Sequence, residues 1–242
     1  MKQGIFSIIE NTALNSAVFR LRLRGDTEAI TAPGQFVNIR LEGRTLRRPF
    51  SVCDVQGDVL TVIYKAVGQG TEQLSRLRPG VELDILTGLG NGFDIEAAGD
   101  RPLLAAGGVG LTPMVYLAKT LIGLGKEVSV VLGFNTKDEV LCKDEFRAMG
   151  CAVTVATVDG SYGVPGFVTD ALPEDYTYFY ACGPEPMLKA LCAAAKTSGQ
   201  LSFEARMGCG FGACMGCTCR TIAGPKRICK DGPVLRREEL LW

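Results

Sequence analysis

The chain has 242 residues, of which 47% are hydrophobic and 21% are charged, with 26 basic residues against 26 acidic ones. A chain with zero net charge and no basic run is a poor candidate for non-specific nucleic-acid binding, which depends on neutralising phosphates. No apolar stretch reaches the roughly 18–20 residues of a membrane span, and the N-terminus lacks the apolar core of a signal peptide. We therefore expect a cytoplasmic protein of two domains with a small third unit.

The sequence contains no histidine and ten cysteines, five of which lie between positions 209 and 229. The missing histidine excludes a Ser-His-Asp triad, a Cys-His pair and any zinc site that uses histidine. Flavins and iron–sulfur clusters bring their own chemistry, so an electron carrier is not excluded. Clustered thiols in a chain without an export signal indicate metal binding rather than disulfide bonds.

Residues 1–98 contain short strand-like runs separated by glycine and proline. The run Val18–Leu23 alternates apolar and basic residues, as a half-buried strand does. Comparable runs occur at 36–41, 59–64 and 81–86. Short strands with such turns are typical of a closed antiparallel β-barrel.

Residues 99–201 change to an alternation of strands and helices. Strands are predicted at 103–106, 127–132, 152–158 and 176–181, and helices at 113–124, 143–149, 167–172 and 184–196. This order predicts a parallel sheet with helices on both faces. Residues 202–242 are rich in cysteine and glycine and too few to build a core of their own, so a bound metal would have to stabilise them.

The cysteines near the C-terminus have an informative spacing. Cys209 is followed by Cys214, Cys217 and the more distant Cys229, as in plant-type [2Fe–2S] ferredoxins. Glycines between them let the backbone wrap closely around a cluster and turn its N–H groups toward the sulfurs. Zinc sites prefer two separated C-x2-C pairs, and only one such pair is present. We predict these four cysteines as iron ligands, with Cys219 as the only nearby alternative for the fourth.

A second candidate site lies in the predicted barrel. Arg48 and Ser51, stiffened by Pro49, are suited to hold the phosphate and ring of a flavin. A surface turn before an edge strand would explain the same residues. The pair Gly70-Thr71 is suited to open a short helix over Glu72–Leu77, whose N-terminal amides would face a pyrophosphate, although an ordinary capped helix fits equally.

Two glycine-containing turns follow strands of the predicted parallel sheet, at Gly107–Pro113 and Cys182–Pro184. In the first, glycines allow a diphosphate to approach, Thr112 is expected to cap the next helix, and Pro113 suits its first position. Pro113 stands where G-x-G-x-x-G has its third glycine, so a tight turn alone is the alternative. Turns at the carboxyl ends of one sheet frame a crevice for a ligand. We expect Cys182 there as a small apolar side chain, not as a nucleophile.

Across its whole length the chain resembles the ferredoxin–NADP reductase superfamily, in Arg48–Ser51, Gly70–Thr71, Gly107–Pro113 and Cys182–Pro184. The C-terminal segment narrows the resemblance. Residues 204–217, with Ile228–Val234 and Gly88–Phe93, are similar to the electron-transfer subunits of NAD-dependent (class 1B) dihydroorotate dehydrogenases. The stretch between the third and fourth cysteines is shorter than in some of these relatives, so the fourth ligand is the least determined.

This resemblance implies an antiparallel FAD-binding β-barrel at 1–98, a parallel-sheet NAD-binding α/β domain at 99–201 and a small C-terminal [2Fe-2S] domain at 202–242. It implies that dihydroorotate is oxidised at an FMN on a separate catalytic subunit, in pyrimidine biosynthesis. Electrons would then pass through the cluster and the FAD of this chain to NAD+. The family forms a heterotetramer of two catalytic and two electron-transfer subunits, and this chain would supply no catalytic residue for dihydroorotate.

The resemblance also implies the binding residues. FAD would be bound by Arg48, Pro49, Phe50, Ser51, Ile63, Tyr64, Lys65, Gly70 and Thr71. NAD would be bound by Gly107, Gly108, Gly110, Thr112, Pro113, Cys182, Gly183 and Pro184. The iron would be held by Cys209, Cys214, Cys217 and Cys229. NAD rather than NADP follows from the family alone, because Lys137 would favour a 2′-phosphate and Asp138 would oppose one.

Two other functions stay open on the sequence. A reductase subunit of an NADH-dependent ferredoxin–NADP oxidoreductase or of a sulfide dehydrogenase would look similar, although an aspartate often replaces one cluster cysteine there. A non-enzymatic binding module stabilised by zinc is the alternative from another class, and it would be colourless.

Overall fold

The computed structural model describes every residue from Met1 to Trp242 and contains two seven-stranded sheets and one two-stranded sheet. The strands are β1 (Lys2–Ala13), β2 (Val18–Arg24), β3 (Phe36–Ile39), β4 (Arg48–Ser51), β5 (Asp54–Gln56), β6 (Val59–Lys65), β7 (Glu82–Leu89), β8 (Pro102–Gly107), β9 (Ser129–Phe134), β10 (Ala152–Thr157), β11 (Val164–Pro165), β12 (Tyr178–Cys182), β13 (Gly199–Ser202), β14 (Thr218–Thr221), β15 (Gly224–Arg227) and β16 (Val234–Arg236). The α-helices are α1 (Gln69–Ser75), α2 (Thr112–Gly123), α3 (Lys143–Ala148), α4 (Glu185–Ala194) and α5 (Ile228–Asp231).

The first sheet has the order β4-β3-β7-β1-β2-β6-β5, and all its neighbouring strands are antiparallel. Its edge strands β4 and β5 follow one another in the chain, so the sheet curls back on itself. At this seam the Val52 N–H donates to the Gln35 carbonyl (3.0 Å), and the Cys53 N–H donates to the Thr61 carbonyl (2.9 Å). The barrel prediction is therefore confirmed in the form of a curled antiparallel sheet.

Strand β1 is a central strand that the sequence pattern did not predict. It lies between β7 and β2, with the side chains of Phe6 and Ile8 in the core. The register shifts between Ile8 and Glu10, which marks a bulge, and Ile5 is 58% exposed. Apolar residues thus lie on both faces of this strand, which hides the two-residue alternation by which a strand is detected.

The second sheet has the order β11-β10-β9-β8-β12-β13-β16 and is parallel except for its last strand. Along β8, Leu104 and Ala106 pack in one core with α2, whereas Leu103 and Ala105 pack in another core with α4. Helices therefore cover both faces, as predicted. The helix predicted at 167–172 is a single turn of 3-10 helix, Val168–Ala171.

The C-terminal segment adds little regular structure of its own. Its last strand, β16, pairs antiparallel with β13 and so extends the nucleotide sheet. Asn91, beyond the end of β7, exchanges two hydrogen bonds with the backbone of Val234 (2.8 and 3.0 Å) and ties the segment to the first sheet. The division at residues 98 and 201 stays a prediction. None of the helices combines the length and apolar character that a membrane crossing requires.

Candidate functional site

A cleft of about 440 Å³ lies where the curled sheet, the nucleotide sheet and the C-terminal segment meet. Ten of its lining residues were predicted as cofactor-binding: Pro49, Phe50, Ser51, Ile63, Tyr64, Lys65, Thr71, Thr112, Pro113 and Cys182. Nine others were not predicted: Phe36, Val67, Val109, Ser202, Phe203, Glu204, Ala205, Met207 and Pro233. Six of these nine, from Ser202 to Pro233, belong to the segment that follows the nucleotide domain. The sequence signal for four of them was that residues 204–207 and Pro233 lie in the two family-like stretches of the C-terminal segment, and Phe203 and Ser202 carried none.

Two neighbouring arginines precede the cleft residue Pro49 in the chain; neither of them lines the cleft, and their side chains have different partners. Arg47 is held by Asp84, through its carboxylate and its carbonyl (both 2.8 Å), and this partner lowers the pKa of the Asp84 carboxyl. Arg48 forms no ion pair and donates to the Leu46 carbonyl (2.6 Å). A β-carbon on Gly70 would lie 2.6 Å from Arg48 Nε, so the missing side chain leaves room for the guanidinium. Arg48 is therefore the arginine with charge available for a phosphate.

The turn at Gly70 differs from the prediction. Helix α1 begins at Gln69, three residues before the predicted start, so Gly70 and Thr71 lie inside its first turn. The Thr71 hydroxyl accepts hydrogen bonds from the N–H groups of Val67 (2.9 Å) and Gly68 (3.2 Å). The helix starts early because the threonine side chain satisfies backbone donors ahead of it.

The Tyr64 side chain lies in the barrel core. Its hydroxyl donates to Asn11 Oδ1 (3.1 Å), and its ring packs against Phe19 and Phe50. Burial raises the pKa of Tyr64 to about 12, despite the hydrogen bond to Asn11. The hydroxyl is thus already paired, so Tyr64 shapes the cleft rather than offering a free polar group.

The two glycine turns at the carboxyl ends of β8 and β12 touch each other. A β-carbon on Gly110 would lie 2.3 Å from the carbonyl oxygen of Cys182, and one on Gly183 would lie 2.9 Å from the Gly107 nitrogen. Gly183 also has φ +154°, which side chains rarely adopt. The glycines are needed for the close approach of these turns to each other.

Thr112 does not cap helix α2, so that prediction is wrong. Its hydroxyl donates to the carbonyls of Val109 (2.7 Å) and Ile63 (3.3 Å). Residues Gly108–Leu111 form a 3-10 turn ahead of the helix, which brings the Val109 carbonyl within reach of the hydroxyl. The bond to Ile63 also joins the nucleotide domain to strand β6 beside the cleft.

Cys182 is 2% exposed on the cleft wall. Burial raises the pKa of its thiol to about 12, and the nearby Glu204 carboxylate adds to the effect. A thiol that stays protonated is a poor nucleophile. Desolvation by the surrounding atoms in turn raises the pKa of Glu204.

The four predicted iron ligands form two pairs. In the outer pair, the N–H of Cys209 donates to the sulfur of Cys214 and the N–H of Cys214 donates to the sulfur of Cys209, both at 3.4 Å. In the inner pair, the Cys229 N–H donates to the Cys217 sulfur at 3.4 Å. Cys219 lies on β14, opposite Lys226 of β15. Pairing with Cys217 supports Cys229 over Cys219 as the fourth ligand.

The pairs differ in exposure and in thiol acidity. Cys217 and Cys229 are 5% and 2% exposed, whereas Cys214 is exposed and Cys209 partly so. Burial alone would raise the pKa of Cys209, but the N–H groups of Phe211 and Cys214 lower it to about 6. Burial and the neighbouring Cys217 raise the pKa of Cys229 to about 12.

The loop geometry fits a binuclear cluster. Gly210 and Gly212 have φ values of +79° and +91°, and backbone N–H groups point at the sulfurs, as the sequence predicts. Two thiolates for each of two irons match the observed pairs of cysteines.

Comparisons with known proteins agree with this geometry. Residues 204–241 match a family described as the iron-sulfur cluster binding domain of dihydroorotate dehydrogenase B, and residues 104–193 match the oxidoreductase NAD-binding domain. The chain is 42% identical, over all of its length and 99% of the relative's, to a dihydroorotate dehydrogenase B (NAD(+)) electron transfer subunit from Geobacillus sp. (strain WCH70). It is 41% identical to the subunit of that name from Shouchella clausii (strain KSM-K16), over 96% of each chain.

A solved structure described as an NADH-dependent reduced ferredoxin-NADP oxidoreductase is 32% identical, with a TM-score of 0.90 over 98% of this chain and 90% of that one. The matched families and the solved structure agree on the kind of protein. This chain, with its two sheets, its cleft and its paired cysteines, is an oxidoreductase that uses flavin, NAD and an iron–sulfur cluster. Both curated relatives named above, which match over nearly their entire length, are dihydroorotate dehydrogenase B electron transfer subunits. The chain therefore belongs to the family of electron transfer subunits of NAD(+)-dependent dihydroorotate dehydrogenase B.

Proposed function

We propose that this chain carries electrons released by dihydroorotate oxidation on a partner subunit to NAD+. The observation that carries this proposal is the position of the two cysteine pairs. The outer pair is open to solvent, while the inner pair packs with Phe36, which also lines the cleft. A cluster held by both pairs would have one end toward a partner and the other toward the flavin.

The residues present fit the cofactors. When bound, the [2Fe–2S] cluster transfers single electrons, and FAD links these to the two-electron chemistry of NAD. The chain's own residues bind and orient these groups. Arg48 would bind a flavin phosphate, and Pro49 to Ser51 would form the wall beside the ring. The buried, protonated Cys182 thiol would help to exclude water without reacting.

The charges beside the proposed nucleotide site favour NAD over NADP. A second cleft of about 130 Å³ opens at the carboxyl ends of β8 and β9, and its lining includes two carboxylates, Asp138 and Glu139, and one cation, Lys65. Asp138 faces this cleft, whereas Lys137 does not line it. A carboxylate there would repel a 2′-phosphate and accept a hydrogen bond from a ribose hydroxyl.

The exposed side of the cluster loop is the proposed contact for the partner. Phe211 and Met215, on either side of the exposed Cys214, are 43% and 53% exposed. Aromatic and methionine side chains are enriched at protein interfaces. We propose an FMN-containing catalytic subunit as the partner, two copies of each subunit in the complex, and a cytoplasmic location.

The test is anaerobic purification of the chain with and without the dihydroorotate-oxidising subunit. We expect FAD and a [2Fe–2S] cluster in the chain alone, with NADH-dependent dye reduction but no oxidation of dihydroorotate. The complex should reduce NAD+ with dihydroorotate. A chain that binds neither chromophore under reconstitution would refute the proposal. NADP reduction by reduced ferredoxin, in a complex inert toward dihydroorotate, would instead favour the activity of the solved relative.

A further inference from the structure

Strand β3 joins the barrel to the iron–sulfur segment. Val37 and Ile39 pack into the barrel core. Phe36 and Asn38 alternate with them and lie on the opposite face. Phe36 packs with the inner cysteine pair and lines the cleft. The outer face of β3 therefore contacts both the cleft and the cluster segment.

Asn38 contacts the loop of the outer pair directly. Its Nδ2 donates to the carbonyl of Cys209 at 3.3 Å, and its side chain is buried, with 1% of the residue exposed. A β-carbon on Gly210 would lie 2.3 Å from Nδ2, so the amide fits only against glycine. The backbone of Asn38 pairs with Pro49 on β4, which lines the cleft. One residue thus touches both the first cluster ligand and the proposed flavin strand.

The other half of the Asn38 amide has no partner. Oδ1 is buried and accepts no hydrogen bond. A buried unpaired acceptor is unfavourable, and an apolar side chain of similar size would avoid it. Packing alone therefore does not explain why an amide side chain occupies position 38. The hydrogen bond that it donates to the Cys209 carbonyl does explain it.

We propose that Asn38 is a positioning residue that fixes the Cys209 loop on the strand beside the flavin and so sets the coupling between cluster and flavin. This inference rests on the proposed function, because it assumes iron at the paired cysteines. The amide holds the loop at a fixed distance from β3. Its dipole would also lie near a cluster held by Cys209, and hydrogen bonds and nearby dipoles tune the reduction potential of such clusters.

The test compares Asn38→Asp, which is isosteric but loses the donor, with Asn38→Leu, which loses it without adding charge. Hydrogen exchange of residues 207–216 in the cofactor-loaded chain should be faster in both variants by about three- to tenfold, the factor expected for one net hydrogen bond. The EPR spectrum of the reduced cluster should change, and electron exchange between cluster and flavin should slow. NADH-dependent ferricyanide reduction, which needs only the flavin, should be unchanged.

Gln35 supplies a control for loss of a buried amide donor. It is 8% exposed, and its Nε2 donates to the Gly90 carbonyl at the same 3.3 Å, while its Oε1 accepts from the N–H groups of Thr31 (2.8 Å) and Ala32 (3.2 Å). Gln35→Glu, which loses the donor and keeps the acceptor, is compared with Asn38→Asp and should leave the EPR spectrum and the exchange of residues 207–216 unaltered. Equal effects at both positions, or none at Asn38, would overturn the inference. A wild-type chain that takes up no cluster would instead refute the proposed function.

Discussion

The nucleotide sheet and the C-terminal cluster segment are stabilised in different ways. In the sheet, β8 is buried along its whole length between two helix-covered faces. The cluster segment has only short strands, and its apolar contacts are made mainly with residues of β3 and β7, such as Phe36 and Leu86. Burial of apolar surface is sufficient for the first region. The second region depends on ligands and on its neighbours, as small units without a core do.

The largest expected effect of a single substitution is at the inner cysteine pair. Cys217→Ser should remove the cluster's visible absorption and sharply raise hydrogen exchange over residues 204–231, since iron ligation holds this segment together. Exchange within β8 and α2 should stay as in the wild type. Cys214→Ser should also remove the absorption. Cys219→Ser is the control, and this variant should keep the cluster. Loss of the cluster in this variant would mean that Cys219, and not Cys229, is the fourth ligand.

In the nucleotide sheet, by contrast, substitutions should lower the free energy of unfolding by disturbing packing and not by removing a metal ligand. Gly110→Ala places a methyl group 2.3 Å from the Cys182 carbonyl, and we expect a loss of about 3 kcal/mol of unfolding free energy. Gly108 has φ +54° but nothing within 4 Å of an added β-carbon, so Gly108→Ala should cost only about 1 kcal/mol. Urea unfolding of the cofactor-loaded chains measures both. Equal losses would mean that contact between the turns is unimportant.

Substitutions at Arg47 and Arg48 should have different effects, one on the stability of the apoprotein and the other on FAD binding. Arg48→Ala should weaken FAD binding by about 10- to 100-fold, as expected for a lost charge-assisted hydrogen bond, with little change in the stability of the apoprotein. Arg47→Ala should lower that stability instead, because it removes the ion pair that holds Asp84 at 2.8 Å and leaves this carboxylate only Gln3 and the more distant Arg40. Fluorescence titration with FAD and thermal unfolding give the two readouts. A reversed pattern would contradict the roles assigned to these residues.

The smallest effect concerns an ion pair under the cluster loop. Arg227 donates to the Gly212 carbonyl (3.0 Å) and pairs with Asp231 (2.9 Å). Hydrogen bonds from Arg227 lower the pKa of Asp231 to about 2. A carboxyl whose pKa is lower in the folded than in the unfolded state stabilises the fold above its unfolded pKa, near 4, and this contribution disappears as the pH falls through 2.

Asp231→Asn should therefore slightly lower the thermal stability of the loaded chain at pH 5 to 7, with a difference that narrows below pH 4. Lys126, which pairs with Asp100 far from the cluster, offers the control Asp100→Asn. That substitution removes a carboxylate that is 94% exposed and should leave the thermal stability of the loaded chain nearly unchanged from pH 4 to 7. A stability difference for Asp231→Asn that grows on acidification would contradict the assigned cause.

The sequence by itself determined those parts of the structure that are marked by a short local pattern of residues. The cysteine spacing identified the cluster loop, and the glycine turns identified the ends of β8 and β12, because metal ligation and close backbone approach each demand particular residue types at fixed intervals. The alternation of strands and helices likewise predicted the doubly covered sheet. Strand β1 was not predicted, since its bulge and its apolar outer residues break the alternation.

Only the tertiary structure decided which residues line the cleft together and which polar groups are already hydrogen-bonded within the protein. The pairing of Arg47 with Asp84, the Tyr64 hydroxyl on Asn11 and the Asn38 amide on the Cys209 carbonyl join residues 37, 53 and 171 positions apart. The wall from Ser202 to Met207 reaches the cleft because β13 ends beside it. Such contacts depend on how the sheets are arranged in space, and no local pattern of residues encodes that arrangement.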